Sequence, residues 1–349
     1  MAKRGRIFAV IFLALLIPVL LAAPESEAKV YRGKCKSNLT WSYDSKTKTM
    51  VIDCKGDMPD DKQFYDLDMG WRKYYFKTKK VIFKKGISSI GAGAFYNFQK
   101  LEEVVLPEGL RIIKYDAFDG CRKLQFINKP STLEVIEKDV FWDVKIKSIS
   151  LKNLKKLGSE CFSGAKLQSV DIPAKCKIED SVFWSCKKLK KVTFEKGVKR
   201  ISYGMFRETG IKNIDIPGSV AQIGTYAFAN CQSLKKAIIN EGVKKISKDA
   251  FSNTALEEIT IPSTVTKLGK NAFRRESLEK SSLKKVVIRS KNIKKWGTMV
   301  FGRREMTLSF TFRKAKKQNT KKYCGVQMDW IFMRKLWERN GKSRRESND

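Results

Sequence analysis

The stretch LEEITIPSTVTKLGKNAF, from Leu256 to Phe273, has been written before in this chain. LEEVVLPEGLRIIKYDAF runs from Leu101 to Phe118, and IKNIDIPGSVAQIGTYAF from Ile211 to Phe228. Its closing residue sets a clock: Phe95, Phe118, Phe141, Phe162, Phe183, Phe206, Phe228, Phe251, Phe273 and Phe301 follow one another at steps of 23, 23, 21, 21, 23, 22, 23, 22 and 28. A fixed period of this size is the signature of a repeat architecture. Within each unit, segments such as LEEVVLP, LQSVDIP, IKNIDIP and LEEITIP are apolar at the first, fourth and sixth places. Places two, three and five should then face outward from the strand. Pro107, Pro130, Pro173, Pro217 and Pro262 follow, and because proline cannot continue a ladder each one ends its strand. A second apolar pair comes next, as in Val220 with Ile223 or Val265 with Leu268, often with a glycine such as Gly91, Gly158, Gly224 or Gly269.

Each unit reads as one coil of a solenoid. The first strand lies on the concave side, the Ala-Phe segment forms a short helical turn opposite, and the apolar set points inward. One coil cannot bury its own face, whereas a stack can. The pattern L-x-x-I-x-I-P-x-x-V-x-x-I-G-x-x-A-F-x-x-C resembles the BspA-type leucine-rich repeat of bacterial and protist surface proteins, from about Lys79 to Phe312. GKCKSNLTWSYDSKTKTMVIDCKGDM, from Gly33 to Met58, is similar to the small β cap that opens such proteins. The pattern departs near Glu279, where EKSS adds residues, and stops after Phe312. The expected fold is an α/β solenoid: a right-handed leucine-rich-repeat array of about ten coils over residues 79–312, roughly 50 Å long at one strand spacing per coil. A β cap would occupy 29–78 and a basic cap or tail 313–349. The resemblance implies a secreted or surface protein that binds host or microbial partners.

The front end reads as an export signal over residues 1–28. Lys3, Arg4 and Arg6 precede an apolar run from Ile7 to Ala23, and Ser26 and Ala28 are small residues suited to cleavage. The alternative is an uncleaved anchor, since the run approaches the length that spans a bilayer. After cleavage no stable transmembrane segment is expected, so the protein is expected to be secreted, either released or held at the cell surface.

Lys and Arg outnumber Asp and Glu 72 to 36, for a net charge of +36. Such an excess attracts polyanions; the competing reading is general solubility. The chain has no histidine, which removes the usual general base near neutral pH and the commonest metal ligand. No cofactor and no enzymatic activity are expected.

Cys121, Cys186 and Cys231 share the slot three residues after the phenylalanine in coils that do not touch, so they read as small buried hydrophobes, as do Cys161 and Cys176. Cys35 and Cys54 bracket a hairpin in the cap and are expected to form a disulfide. Cys324 has no evident partner, and no pair has zinc-like spacing.

Two surfaces can carry binding. Lys190, Lys191, Lys212, Lys235, Lys236, Lys284 and Lys285 occupy outward strand places, with Asp215 at the fifth place, and Glu102, Glu103, Glu257 and Glu258 interrupt the basic strip. The strip is either a grip for an acidic chain or a solvated face. Beyond Arg313, Trp330, Ile331, Met333, Leu336 and Trp337 fall near helical spacing among basic residues. That segment reads as a capping helix or as a contact for an anionic membrane or wall polymer. The partners this suggests are an extracellular protein or an acidic glycan or wall polymer, with no specific nucleic acid, bound by a monomer. The alternative is a basic envelope protein held on anionic wall polymer or membrane by charge alone.

Overall fold

The computed structural model describes residues 28–35, 38–61, 69–275, 282–301 and the backbone of 309–312. They form a parallel-strand β-solenoid of about nine turns. The expected alternation holds: Ser169–Ile172, Asn213–Ile216 and Lys236–Ile239 each read exposed, buried, exposed, buried. Pairing is parallel and residue-for-residue, with Asn213 against Lys236, Ile214 against Ala237, Asp215 against Ile238 and Ile216 against Ile239. Each place in the repeat therefore sits beside the same place in the next coil. The proline closes a turn, its carbonyl accepting the amide of the apolar residue three places on, as in Val220 to Pro217 at 3.0 Å. A second, two-residue strand follows, and its row aligns Ile201, Ile223, Ile246, Leu268 and Trp296. Glycine ends many of these short strands because the coils touch there: a Cβ on Gly224 would lie 2.6 Å from the Ser202 carbonyl oxygen.

The clock residues form the spine of the core. Phe95 to Phe301 stack ring on ring through nine contacts, with centroids 5.1–6.0 Å apart and planes within 2–19°. Parallel coils place identical rings one strand spacing apart, and small offsets give the favoured stacked geometry. The three slot cysteines are buried, and each thiol donates to the phenylalanine carbonyl of the preceding coil: Cys121 to Phe95 at 3.2 Å, Cys186 to Phe162 at 3.0 Å and Cys231 to Phe206 at 3.0 Å.

The helical turn expected around Ala-Phe is not there. No α-helix forms among the described residues, and helical geometry is confined to 3-10 turns such as Arg72–Tyr74. The reason repeats in the backbone. Two residues before the phenylalanine, φ is positive at Gly93, Asp116, Asp139, Glu160, Ser181, Gly204, Tyr226, Asp249, Asn271 and Met299. Two residues after it, φ is positive at Asn97, Gly120, Asp143, Gly164, Ser185, Glu208, Asn230 and Asn253. Two left-handed residues within five cannot lie in a right-handed helix. The segment is a pair of turns, and its amides reach the next coil, as in Phe95 to Ala117 at 2.9 Å and Asn97 to Asp119 at 2.7 Å. The α/β description therefore gives way to an all-β coil, and the proposed capping helix lies outside the described residues, as do residues 1–27 and the segment from Arg313.

At the N-terminal end, β1 (Val30–Cys35), β2 (Leu39–Asp44) and β3 (Thr49–Cys54) form an antiparallel meander, and β3 then pairs in parallel with Lys80–Phe83. The cap sheet thus runs straight into the first-strand row. The exposed turn of the first coil would leave carbonyls that a preceding coil normally satisfies. Here the Asp61 amide donates to Ala92 at 2.8 Å, the Trp71 indole N–H to Ala94 at 3.1 Å and Arg72 Nη1 to Tyr96 at 2.9 Å. Trp71 is fully buried and stacks on Phe95 at 6.2 Å, so it takes the place of one more ring in the spine. Arg72 is itself buried and paired with buried Asp61 at 3.6 Å.

The expected disulfide is a correction. Cys54 is a free thiol, and the register sets Leu39 opposite both Cys35 and Cys54. The two cysteines therefore sit on strands separated by β2, about 10 Å apart at two strand spacings. That exceeds the roughly 7 Å a bridge spans. The Cys35 sulfur instead lies 3.7 Å from that of Met69.

Candidate functional site

The lysines singled out in the sequence are all exposed at outward strand places, but the structure divides them. Lys284 and Lys285 face the glutamates of the coil before them, Glu257 and Glu258, at 4.0 Å each. Lys79 and Lys80 meet Glu102 and Glu103 in the same manner at 3.8 and 2.9 Å. Exposed pairs of this kind contribute about 0–1 kcal/mol, so their consequence is neutralisation more than stability. Lys190, Lys191, Lys212, Lys235 and Lys236 have no carboxylate within ion-pair distance among the described residues. They lie on three successive coils, and the Lys235 amide bonds the Lys212 carbonyl at 2.9 Å, which fixes their spacing. Asp215 takes no part in an ion pair with them; its carboxylate accepts from Asn240 Nδ2 at 2.6 Å. Asp171, on the same row, accepts from the Thr193 hydroxyl.

Charge is segregated along the whole array. Between residues 79 and 186 there are 19 Lys and Arg against 13 Asp and Glu, and between 187 and 301 there are 25 against 9. In the first stretch the second-strand row is neutralised by inter-coil triads, Arg111 and Lys155 on Glu134 and Lys156 and Lys177 on Glu179. The corresponding row further on, Arg200, Lys245, Lys267 and Lys295, forms no ion pair among the described residues. Sequence reasoning missed this second row. Its signal was available in the recurrence of Lys-Lys or Lys-Arg before the second apolar residue, at Lys199-Arg200, Lys244-Lys245 and Lys294-Lys295.

On the turn side, carboxylates gather in the neutralised stretch. Burial lifts Asp119 to about 7, aided by Asp116 and Asp139, and burial with Asp139 lifts Asp116 to about 6. Burial likewise pushes the Cys186 thiol to about 12 and Cys231 to about 11, which leaves them inert as nucleophiles. No group of three or more His, Cys, Asp or Glu among the described residues could hold a metal ion, and none of their helices is long and apolar enough to cross a membrane.

A coil with paired parallel strand rows, a phenylalanine spine and lysines on the exposed strand places defines a leucine-rich-repeat solenoid with a basic outer face. The chain belongs to the BspA type leucine rich repeat family, whose profile matches residues 73–190 and 155–279 in 6 copies. Two solved structures share the fold. A leucine-rich repeat protein from Bacteroides ovatus is 24% identical with a TM-score of 0.59, covering 76% of this chain and 67% of its own. One from Eubacterium ventriosum is 19% identical with a TM-score of 0.57, covering 76% and 73%. Comparison with curated proteins finds no match.

Proposed function

We propose that this is an exported, non-catalytic protein that binds an extracellular protein or an acidic glycan by its solenoid surface. The observation that carries the reading is the block of Lys190, Lys191, Lys212, Lys235 and Lys236, held at fixed spacing on three coils without carboxylate partners among the described residues. Like charges so close repel one another, and an anionic partner that spans the coils relieves that repulsion at several points together. A rigid array loses little conformational freedom on binding.

The charge excess from residue 187 onward supports a second reading, retention on anionic wall polymer by charge alone. Salt separates the two, because contacts made only through exposed charge weaken steeply as ions screen them. The test is binding of residues 29–349 to immobilised matrix proteins and acidic glycans at low and high salt, beside a variant with all five lysines changed to alanine. One target that survives high salt and is lost in the variant supports the surface-recognition reading. Uniform binding to every polyanion that vanishes with salt supports charge retention and sinks the first.

A further inference from the structure

Two left-handed positions, Tyr226 and Met299, break their own pattern, and Tyr226 is the one that carries a ring. Two residues before the spine phenylalanine, most coils carry Gly, Asp, Asn, Ser or Glu, and glycine or the short Asp and Asn side chains tolerate this backbone best. Tyr226 holds the same conformation at φ 56°. A bulky ring there is strained, and strain of this sort is retained where the side chain is needed. Its ring lies under two cations, with the Arg207 guanidinium carbon 5.7 Å and Lys248 Nζ 5.7 Å from its centre. Arg207 also covers Trp184 at 5.5 Å, and half-exposed Tyr203 meets Tyr226 edge-on at 5.6 Å.

These groups border a cleft of about 300 Å³ on the turn side, lined by Arg207, Tyr226, Lys248 and Lys270 together with Asp249 and Asn230. We infer that this cleft binds a single acidic sugar unit, a uronate of an anionic glycan, with its carboxylate among the cations and its hydroxyls on Asp249 and Asn230. The volume sits at the lower limit of ligand clefts, which suits one sugar unit and not a protein patch. Arg207 and Lys248 face Glu208 at 3.2 Å and Asp249 at 3.9 Å, whereas Lys270 has no such neighbour among the described residues. The cleft lining thus carries three cations, Arg207, Lys248 and Lys270, against the one carboxylate of Asp249, with Glu208 beside Arg207 outside it, an excess of positive charge that suits an anionic ligand. Cation–π contact holds two of the cations in place before the ligand arrives. The same contacts occupy the Tyr226 ring, which makes it a poor platform for a nucleic-acid base.

This site names a ligand class for the recognition proposed above, but it lies on the turns and not on the strand lysines, so the two can fail separately. The experiment is calorimetric titration of residues 29–349 with a hyaluronan octasaccharide, a neutral N-acetylglucosamine tetramer and a thymidine decamer. The variants are Tyr226→Asn, Lys270→Ala and the pair Lys190→Ala with Lys191→Ala. Tyr226→Asn puts a residue that accepts the left-handed backbone at that place, so its thermal midpoint should equal or exceed that of the parent. The expected result is uronate binding weakened by about tenfold or more in Tyr226→Asn and Lys270→Ala, unchanged in the strand pair, with no binding of the neutral sugar. Absent uronate binding, equal binding of the neutral tetramer, tighter binding of the decamer, or uronate affinity untouched by both cleft variants would each overturn the assignment. Loss only in the strand pair would overturn it and leave the strand-face reading standing.

Discussion

Replacing Phe183 with alanine tests whether the ring spine holds the array together. Phe183 is fully buried between Phe162 at 6.0 Å and Phe206 at 5.7 Å. A buried Phe→Ala change costs about 3–5 kcal/mol, from lost transfer energy and the cavity left behind. Two stacked partners, each worth about 0.5–1.5 kcal/mol beyond burial, place Phe183 at the upper end of that range. Phe194 offers an internal control: it meets Phe206 edge-on at 6.3 Å, outside the stacked spine, and is only half-buried. Phe194→Ala should therefore cost about 1–2 kcal/mol less, since less apolar surface leaves water there. Phe183→Leu keeps most of the apolar volume and should cost less than Phe183→Ala. Urea unfolding followed by circular dichroism reads all three. Equal losses for Phe183→Ala and Phe194→Ala, or a loss below about 1 kcal/mol at Phe183, would refute the stacked spine as the main stabilising element.

Trp71→Phe keeps a ring on Phe95 but removes the donor to the Ala94 carbonyl, and should cost about 1–3 kcal/mol in the same assay. Arg72→Met removes the buried cation paired with Asp61 and the donor to the Tyr96 carbonyl, and should cost about 3–5 kcal/mol, which a neutral result would contradict. The raised carboxyls at Asp116 and Asp119 make a pH prediction with a definite sign. Between the unfolded value near 3.8 and the folded values of about 6 and 7, the folded chain holds protons that the unfolded chain has released. Their stabilising contribution is therefore complete below pH 4 and is lost as pH rises toward 7. Asp119→Asn should gain on the parent by about 1–2 kcal/mol across that window after solvent screening, and a constant difference from pH 4 to 8 would count against it. Cys186 and Cys231, buried and held protonated, should react with a thiol reagent only on unfolding, as mass spectrometry of labelled peptides would show.

The strand rows were legible because a period-two alternation within a period of 21–23 residues admits one register, and Val170, Ile214 and Ile259 fall inward as the pattern requires. The turn side was misread because Ala-Phe with apolar neighbours suits a helix as well as a turn. The distinguishing signal was the Asp and Asn at Asp116, Asp139, Asp249 and Asn271, and again at Asn97, Asn230 and Asn253. The N-terminal closure was not legible. Trp71 and Arg72 have no repeat to belong to, and their partners Ala94 and Tyr96 are known only once the first coil is folded. The basic strip was half legible: the lysines were evident, but their neutralisation at Lys284 and Lys285 depends on which coil Glu257 and Glu258 face. The aromatic–cation cluster around Tyr226 was invisible, since its members come from four separate coils.

The central claim, recognition by a rigid solenoid surface, is tested most directly by one array measurement. Residues 29–349, and the same chain ending at Phe312, are applied to acidic glycans and matrix proteins at low and at high salt. The account predicts at least one target retained at high salt and unaffected by the truncation, because the contact surface is built by the coils. Binding to every anionic target at low salt, to none at high salt, and weakened throughout by the truncation would contradict it and leave a basic envelope protein held by charge.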